Sequence, residues 1–276
     1  MISFLNSYMI EEKKMKKPKV SIIMAEYNTD LRQLDESIKS IINQSFKNFE
    51  LIIIDDCGKN DLATFLDKYK DDRIVLLKNE KNMGLAESLN KGIKYSNSEY
   101  IIRMDTDDIA LPDRLEKQIN FIEEHPEYSI VGGKYILFDE NGEKGVRGVS
   151  GEVVKEDFLK NTPFAHPTLL IRKKDIVKSG LYPNYYRCQD YAMEMNMYAN
   201  GYKGFIMDDV LLKYRQDTNG YKKKKFKYRI LEYKIRKKYF KLLNFSFIKR
   251  TPYQYKPLLI GIIPNTFLKF YHEKIK

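Results

Sequence analysis

Cysteine is scarce in this chain, because Cys57 and Cys188 are the two cysteines among its 276 residues. Two cysteines make no disulfide framework, and their separation matches no zinc-binding spacing. The sequence thus excludes a disulfide-rich secreted domain and a small zinc module. So low a count is typical of proteins of the reducing cytoplasm.

Long hydrophobic runs are also missing. Residues 258–263 form an apolar run of six residues that ends at Pro264, whereas a helix needs about 20 apolar residues to cross a bilayer. Residues 1–10 have no basic segment ahead of their apolar residues and are not predicted to be a signal peptide. We expect residues 1–18 to be an N-terminal extension, with the ordered domain starting near Lys19.

Acidic residues become rare towards the C-terminus. Residues 220–276 contain 17 Lys and Arg against 2 Asp and Glu, a net charge of +15, whereas residues 1–219 carry a net charge of −4. This break predicts a boundary near Gly220 between a mildly acidic body and a basic tail. Overall, 43% hydrophobic and 32% charged residues are ordinary values for a globular protein.

Apolar runs typical of buried strands alternate with helical patterns through the first half of the body. Leu31, Leu34 and Ile38 recur at helical spacing, with Asp30 placed to cap that helix. Continuous apolar strands between amphipathic helices predict a mostly parallel α/β sheet covered on both sides. The predicted strands are residues 20–24, 49–54, 74–77 and 100–104. Further on, residues 140–151 are predicted to be a polar, Gly-rich loop over the site.

Three aspartates in four positions follow the fourth strand: Asp105, Asp107 and Asp108. Side chains alternate along an extended chain, so Asp105 and Asp107 point the same way. Oxygen ligands suit a hard cation such as Mg²⁺ or Mn²⁺, whose remaining positions are commonly filled by water and substrate phosphates. We therefore predict a metal-bridged diphosphate site. A polar turn in which Asp108 caps the next helix is the alternative.

Several motifs, in this order, resemble glycosyltransferase family 2. They are residues 20–28 (VSIIMAEYN), the acidic pair after the second strand, residues 82–86 (NMGLA), and residues 104–108 (MDTDD) followed by 112–115 (PDRL). The match covers about residues 19–216 and is strongest to bacterial enzymes of capsule, exopolysaccharide and O-antigen synthesis.

That resemblance implies the GT-A fold, which is a Rossmann-like, mostly parallel sheet flanked by helices. It also implies inverting transfer from a nucleotide-diphosphate sugar. The expected GT-A domain is residues 19–219, with a nucleotide-sugar half at about 19–115 and an acceptor half at about 116–219.

The resemblance also assigns roles to particular residues of the donor site. Tyr27 would stack on the nucleobase, Asp56 would contact it, and Ala25 would line the same pocket. Asp105 would lie near the ribose and the metal. Asp107 would be the main metal ligand, with Asp108 beside it. Here Ala25-Glu26 replaces a common Pro-Val, and Cys57-Gly58 replaces Gly-Ser, so the pocket and the loop after the second strand are expected to differ.

On the acceptor side, the family's general base is an Asp at the start of a late helix, which Asp190 matches. Gln189 stands where a carboxylate is common and is a candidate contact to the acceptor or the diphosphate. His166, in a His-Pro pair, is expected near the acceptor or the diphosphate, with a structural histidine as the alternative. Arg172 and Arg215 are further candidates for holding the diphosphate.

The basic tail has a helical apolar stripe formed by Tyr228, Leu231, Ile235, Tyr239 and Leu242. Lysines and arginines surround the stripe, a pattern typical of an amphipathic helix on anionic lipid. A basic helix packed on the body is the alternative. No nucleic-acid-binding motif accompanies the charge, so no nucleic-acid partner is expected.

The leading hypothesis is a cytoplasmic inverting glycosyltransferase, peripheral on the inner face of the cell membrane. It would move a hexose or N-acetylhexosamine from UDP to a saccharide or a lipid-linked saccharide, with Mn²⁺ or Mg²⁺ as cofactor. A dTDP-rhamnose-dependent enzyme of the same fold is the runner-up. A nucleotidyltransferase would need a Gly-rich basic loop after the first strand, which residues 25–28 lack. The non-enzymatic alternative is a peripheral membrane or nucleic-acid-binding module with a degenerate transferase body.

Overall fold

The structure, a computed structural model, describes residues 17–216 and 226–262. The predicted N-terminal extension therefore lies almost entirely outside the described residues. The helices are α1 (Leu31–Ile42), α2 (Leu62–Leu66), α3 (Leu85–Tyr95), α4 (Arg114–Glu124), α5 (Asp157–Lys160), α6 (Lys173–Lys178), α7 (Gln189–Ala199), α8 (Phe226–Leu242) and α9 (Phe247–Ile262). The strands are β1 (Val20–Glu26), β2 (Phe49–Asp55), β3 (Ile74–Lys78), β4 (Tyr100–Arg103), β5 (Ile109–Ala110), β6 (Tyr128–Asp139), β7 (Gly142–Arg147), β8 (Gly151–Val153), β9 (Leu170–Arg172) and β10 (Lys203–Arg215).

One mixed sheet with the order β3-β2-β1-β4-β9-β6-β10-β5 organises the chain. The strands β1 to β4 are parallel, as predicted. Strand β9 runs antiparallel between β4 and β6, while β6 and β10 are parallel to each other. The carboxyl ends of β1, β2 and β4 therefore meet at one edge of the sheet, where ligands bind in folds of this kind.

Both faces of β1 are covered, which explains why its sequence is apolar without alternation. Ile22 packs in the cluster under α1, and Ile23 in the cluster under α3. Gly92 lets α3 approach closely, since a Cβ there would lie 2.7 Å from the Ile23 side chain. Burying one such isoleucine contributes about 1.5–3 kcal/mol, so this layer stabilises the strand ends that carry the site.

The predicted loop over residues 140–151 was wrong. These residues include the exposed strand β7, which pairs antiparallel with the half-buried second half of β6 to form a hairpin. Residues 203–215 form one long strand, β10, whose pairing with β6 is irregular in register between Met207 and Val210.

The C-terminal helices pack on the body. Ile235 and Tyr239 are buried in the same cluster as Met193 of α7. The buried Arg236 donates a hydrogen bond to the Leu159 carbonyl at 2.9 Å. The apolar stripe predicted to face lipid thus faces protein, except for Leu242, which is exposed. No helix within the described ranges is long and apolar enough to cross a bilayer.

Candidate active site

An acidic cluster lies at the carboxyl end of β4. Asp105, Asp107 and Asp108 each place a carboxylate oxygen within 4.8 Å of those of the other two. Three like charges at this distance repel strongly when the site is shielded from water. How the protein and its ligands offset this charge defines the chemistry of the site.

Arg103 offsets one of the three charges. It is the last residue of β4, is almost buried, and donates to both oxygens of Asp105, with Nη1 at 2.5 Å from Oδ2. On the opposite side, the Ser37 hydroxyl of α1 donates to the Asp105 carbonyl at 3.0 Å. Arg103 was not among the predicted site residues, although a lone cation inside a buried apolar strand was a usable signal.

Among the described residues, no lysine or arginine side chain pairs with the carboxylates of Asp107 and Asp108. Burial, together with the charge of Asp105, raises the pKa of Asp107 and raises the pKa of Asp108 to about 8. Oδ1 of Asp108 accepts the Arg215 backbone N–H at 2.8 Å. Its Oδ2 is buried and has no hydrogen-bond partner among the described residues. A buried, unpaired carboxylate oxygen is costly unless a cation meets it, so these residues fit a divalent metal with oxygen ligands.

Arg215, at the end of β10, borders this cluster. Its Nε donates to the Asp107 carbonyl at 2.8 Å, and its guanidinium pairs with Glu36 of α1 at 2.6 Å. Its guanidinium carbon also lies 4.5 Å from the centre of the Phe138 ring. These contacts fix Arg215 beside the acids, where its charge faces any anionic group bound there.

Arg172 lies at the opposite edge of the sheet. It pairs in register with Tyr100, the first residue of β4. Its guanidinium donates to the carbonyls of Ile122 and Tyr128 at 2.6 and 2.8 Å. The suggestion that Arg172 helps to hold a diphosphate was therefore wrong, because this side chain ties β9 to α4 and β6.

The loop after β1 presents the predicted nucleobase platform. Tyr27 is 55% exposed and follows directly on Glu26, the last residue of β1. Asn28 has a positive φ of 61°, and its side-chain oxygen accepts the Lys59 N–H at 2.7 Å. Half-buried Ala25 lies at the end of the same strand. An exposed ring on a braced loop can stack on a base without first rearranging.

Glu26, which departs from the family pattern, braces this loop from below. It is fully buried, and its Oε1 accepts the Thr29 N–H at 2.8 Å and the Asn60 amide at 2.9 Å. The unusual residue therefore has a structural task that Val could not perform.

Asp56 is buried and already heavily used. It accepts hydrogen bonds from the Asn79 amide at 2.7 Å and from the backbone N–H groups of Met83 and Gly84 at 2.7 and 2.9 Å. A carboxylate has about four acceptor directions, so little capacity remains. Asp56 orders the loop that leads into α3. A contact to the nucleobase must use the acceptor capacity that these three hydrogen bonds leave free.

The start of α7 carries the predicted base. Asp190 lies in the first helical turn, after Cys188 with a positive φ of 57°. Burial raises the pKa of Asp190, while the N–H of Tyr191 and the charge of Arg103 oppose that shift. A raised pKa brings a carboxylate closer to what general-base catalysis needs. Asp190 lies near enough to Arg103 and Asp105 for both charges to act on its pKa.

His166 is buried next to the same region. Its Nε2 lies 2.9 Å from the Tyr182 hydroxyl, and burial together with the charge of Arg103 lowers the pKa of His166 well below its usual value. The imidazole is therefore neutral at physiological pH. It orients Tyr182, whose pKa is raised by burial and also by the charge of Asp190.

Two polar side chains of α7 end in buried atoms without partners among the described residues. They are Oε1 of Gln189 and both carboxylate oxygens of Glu194. Burial, followed by the charge of Asp190, raises the pKa of Glu194 well above its usual value. Glu194 is one helical turn beyond Asp190, and periodicity alone did not distinguish it from the core residues around it.

The model of the family described as "Glycosyl transferase family 2" matches residues 21–181. This match spans more than half of the chain. The chain belongs to glycosyltransferase family 2. Its resemblance to the family, stated above from separate motifs, is thereby confirmed.

Among the relatives that match nearly end to end are two bacterial glycosyltransferases. The putative glycosyltransferase EpsE of Bacillus subtilis is 35% identical over 268 residues, covering 93% of this chain and 94% of the relative. A UDP-Gal:alpha-D-GlcNAc-diphosphoundecaprenol beta-1,3-galactosyltransferase of Escherichia coli is 31% identical over 262 residues, covering 91% of each chain. This family-2 glycosyltransferase therefore has full-length relatives of similar size.

Solved structures confirm the GT-A fold. S. aureus TarS 1-349 in complex with UDP-GlcNAc superposes with a TM-score of 0.66 at 18% identity, over 88% of this chain and 71% of that chain. The mannosyltransferase PcManGT from Pyrobaculum calidifontis, in complex with GDP-Man and Mn²⁺, gives a TM-score of 0.63 at 16% identity, over 89% and 69%. At such identities the likeness concerns the fold.

Proposed function

We propose that this glycosyltransferase is metal-dependent and inverting, and that it moves a hexose or N-acetylhexosamine from a UDP-sugar to a saccharide acceptor. The product would be part of a cell-surface polysaccharide. The observation that carries the proposal is the acidic cluster at the carboxyl end of β4, with its unpartnered Asp108 oxygen. The half-buried Asp190 lies near enough for the charge of Arg103 to act on its pKa.

The donor assignment draws on both the site and the relatives. The exposed ring of Tyr27 offers a stacking surface worth about 1–3 kcal/mol per base. The named donor of the Escherichia coli relative is UDP-Gal, and TarS was solved with UDP-GlcNAc. UDP is therefore the first nucleotide to test, with dTDP as the alternative that would indicate a rhamnosyltransferase.

Asp107 and Asp108 would hold the metal. Asp105 would lie beside them, ion-paired with Arg103. The buried, unpartnered Oδ2 of Asp108 is the feature that best matches a bound cation. A bound Mn²⁺ or Mg²⁺ acts as a Lewis acid for the charge that develops on a departing diphosphate. Arg215 adds a fixed positive charge on the same side.

Asp190 would act as the general base. Its carboxylate takes the proton of the acceptor hydroxyl while that oxygen bonds to the anomeric carbon. The bond from that carbon to the diphosphate oxygen breaks, and the diphosphate leaves with the electron pair. Attack from the face opposite the diphosphate inverts the anomeric configuration. Gln189 and His166 with Tyr182 would line the acceptor side.

We further propose that the acceptor is carried on a lipid and that the enzyme works at the inner face of the cell membrane. The acceptor named for the Escherichia coli relative is a diphosphoundecaprenol-linked sugar. The basic tail is compatible with such a location, because anionic lipid attracts lysine and arginine close to the surface.

Calorimetric titration tests the donor site. UDP, dTDP, GDP and CDP are each titrated with and without Mn²⁺, on the wild type, on Asp107→Ala and on Asp208→Ala, a control at an exposed aspartate. We expect UDP to bind with Mn²⁺ and to weaken at least about tenfold in Asp107→Ala, with the control unchanged. Metal-independent binding would overturn the cofactor assignment, and the absence of any nucleotide binding would overturn the proposed function.

A further inference from the structure

The outer side of α9 presents an apolar stripe that no described residue covers. Ile248, Pro252, Tyr255 and Leu259 recur at i, i+4, i+7 and i+11, which places them on one face of the helix. All four are exposed, and Ile248 and Leu259 are 86% and 63% exposed. A row of exposed apolar side chains does not stabilise the folded chain.

A row of positive charge lies on α8 beside this stripe. Lys234, Lys237 and Lys241 are exposed and share one helical face. Within the part of the chain that the structure describes, none of the three forms an ion pair with a carboxylate. Glu232 is the only acidic residue in positions 226–262, and it pairs with Arg229 and Arg236 at 3.2 and 3.1 Å.

The stripe and the row meet along the seam of the α8–α9 hairpin. The rings of Tyr233 on α8 and Tyr255 on α9 have centroids 5.1 Å apart. The Lys237 ammonium lies 5.9 Å from the centre of the Tyr233 ring. The outer hairpin face, defined here as Lys234, Lys237, Lys241, Ile248, Pro252, Tyr255 and Leu259 with Tyr233 at the seam, is therefore continuous.

The opposite side of the hairpin belongs to the protein core. Ile235, Tyr239 and Phe240 are buried against the body. Removing the whole tail would consequently expose core surface, and loss of lipid binding after such a truncation would not identify the binding face. Only substitutions on the outer face can distinguish the loss of a lipid-binding surface from damage to the protein core.

We propose that the outer hairpin face docks on an anionic lipid bilayer, with the α9 stripe inserted among the headgroups and the α8 lysines over the lipid charge. Apolar, aromatic and basic side chains on one surface are the combination that interfacial helices use. A second copy is disfavoured as the occupant, since a two-fold contact would place two copies of the lysine row in one interface, and Glu232 is the only acidic residue in positions 226–262. The inference refines the membrane location within the proposed function but depends on different residues.

Co-sedimentation with vesicles tests the proposal. Phosphatidylcholine vesicles with and without phosphatidylglycerol are mixed with the wild type, Ile248→Asp/Leu259→Asp and Lys234→Gln/Lys237→Gln/Lys241→Gln. The matched controls are Val149→Asp/Val177→Asp and Lys94→Gln/Lys174→Gln/Lys178→Gln, at exposed positions outside the hairpin. Thermal melting and UDP titration of every variant verify folding and the donor site.

We expect the wild type and both controls to sediment with the anionic vesicles. The partition coefficient should fall about fivefold for each lysine removed at low ionic strength, and the aspartate pair should abolish binding. The proposed docking face would be overturned if the hairpin variants sedimented as the wild type does. It would also be overturned if the wild type did not sediment with the vesicles. A wild-type dimer that the aspartate pair makes monomeric would overturn it as well. Retained UDP binding in these cases would leave the proposed function standing.

Discussion

The two ends of the parallel strands β1 and β4, called here the amino edge and the carboxyl edge of the sheet, differ in how their polar groups are paired. At the amino end of β1 and β4, charged and hydroxyl groups are paired: Lys19 with Glu99 and Glu123 at 2.8 and 2.5 Å, and Ser21 with Ser98 at 2.6 Å. At the carboxyl end, buried oxygen atoms of Glu26, Asp108, Gln189 and Glu194 have no partner among the described residues. The pairing at the amino edge stabilises the fold. The unpaired oxygen atoms at the carboxyl edge indicate a ligand that the chain does not itself supply.

The largest effect is expected from Asp190→Asn at the carboxyl edge. If Asp190 is the base, transfer falls about 10²- to 10⁴-fold, while UDP binding with Mn²⁺ stays close to wild type because the donor side is untouched. Radiolabelled sugar transfer and calorimetry measure the two. Glu87→Gln, which removes an acid from the first turn of α3, is the control for the helix-dipole contribution. Undiminished turnover by Asp190→Asn would sink the base assignment.

Arg172→Met at the amino edge should have the opposite effect, lowering stability and leaving activity unchanged. The change leaves the carbonyls of Ile122 and Tyr128 without their donor, so we expect the free energy of unfolding to fall by about 3 kcal/mol. Turnover and the KM for the donor should not change in the folded enzyme. Urea denaturation and steady-state kinetics test this, with Arg32→Met, an almost fully exposed arginine, as the control. A raised KM without a stability loss would return Arg172 to the list of substrate contacts.

Glu194→Gln should show that the carboxyl edge costs stability. The pKa of Glu194 is raised in the folded state, so its favourable contribution is complete below the unfolded pKa, about 4.3, and is lost as pH rises towards the folded pKa. The wild type should therefore lose about 1.4 kcal/mol per pH unit relative to Glu194→Gln over that window.

Urea denaturation of both proteins from about pH 5 to about pH 8 measures this difference. Glu80→Gln, at an exposed glutamate, is the matched control and should run parallel to the wild type. Parallel curves for Glu194→Gln as well would mean that Glu194 is ionised and paired in solution.

The smallest effect is expected from Lys19→Gln. Its two ion pairs lie at the surface, with the lysine side chain 30% exposed, and such pairs contribute less than about 1 kcal/mol because water and salt screen them. Unfolding free energies at low and high salt should converge for the variant and the wild type. A salt-independent loss of several kcal/mol would show that the amino edge depends on charge more than on buried contacts such as those of Arg172.

Much of the body was predictable because its strands are apolar on both faces. The strands β1 to β4 and the helix that begins after Asp30 followed from periodicity and capping, and the Asp30 side chain does accept the Arg32 N–H at 2.9 Å. The motif order also predicted the family and the GT-A fold. Strand β7 was missed, since a polar, Gly-rich strand that faces solvent carries no core signal.

Partners across the fold were beyond the reach of periodicity. Arg172 and Arg215 look equivalent as basic residues near strand ends, yet antiparallel pairing sends Arg172 to the amino edge, while β10 delivers Arg215 to the acids. Likewise, the spacing of Ile235 and Tyr239 showed that they share a helix face, but it did not show that protein covers that face.

By itself, the sequence determined the strand-and-helix order of the body, the acidic cluster after β4 and the charge break near Gly220, because each depends on neighbours along the chain. Tertiary structure decided that Arg103 neutralises Asp105, that Glu194 is buried near Asp190 and that α9 presents a face that no described residue covers. These depend on contacts between distant segments, where burial and pairing set the free energy of each charge.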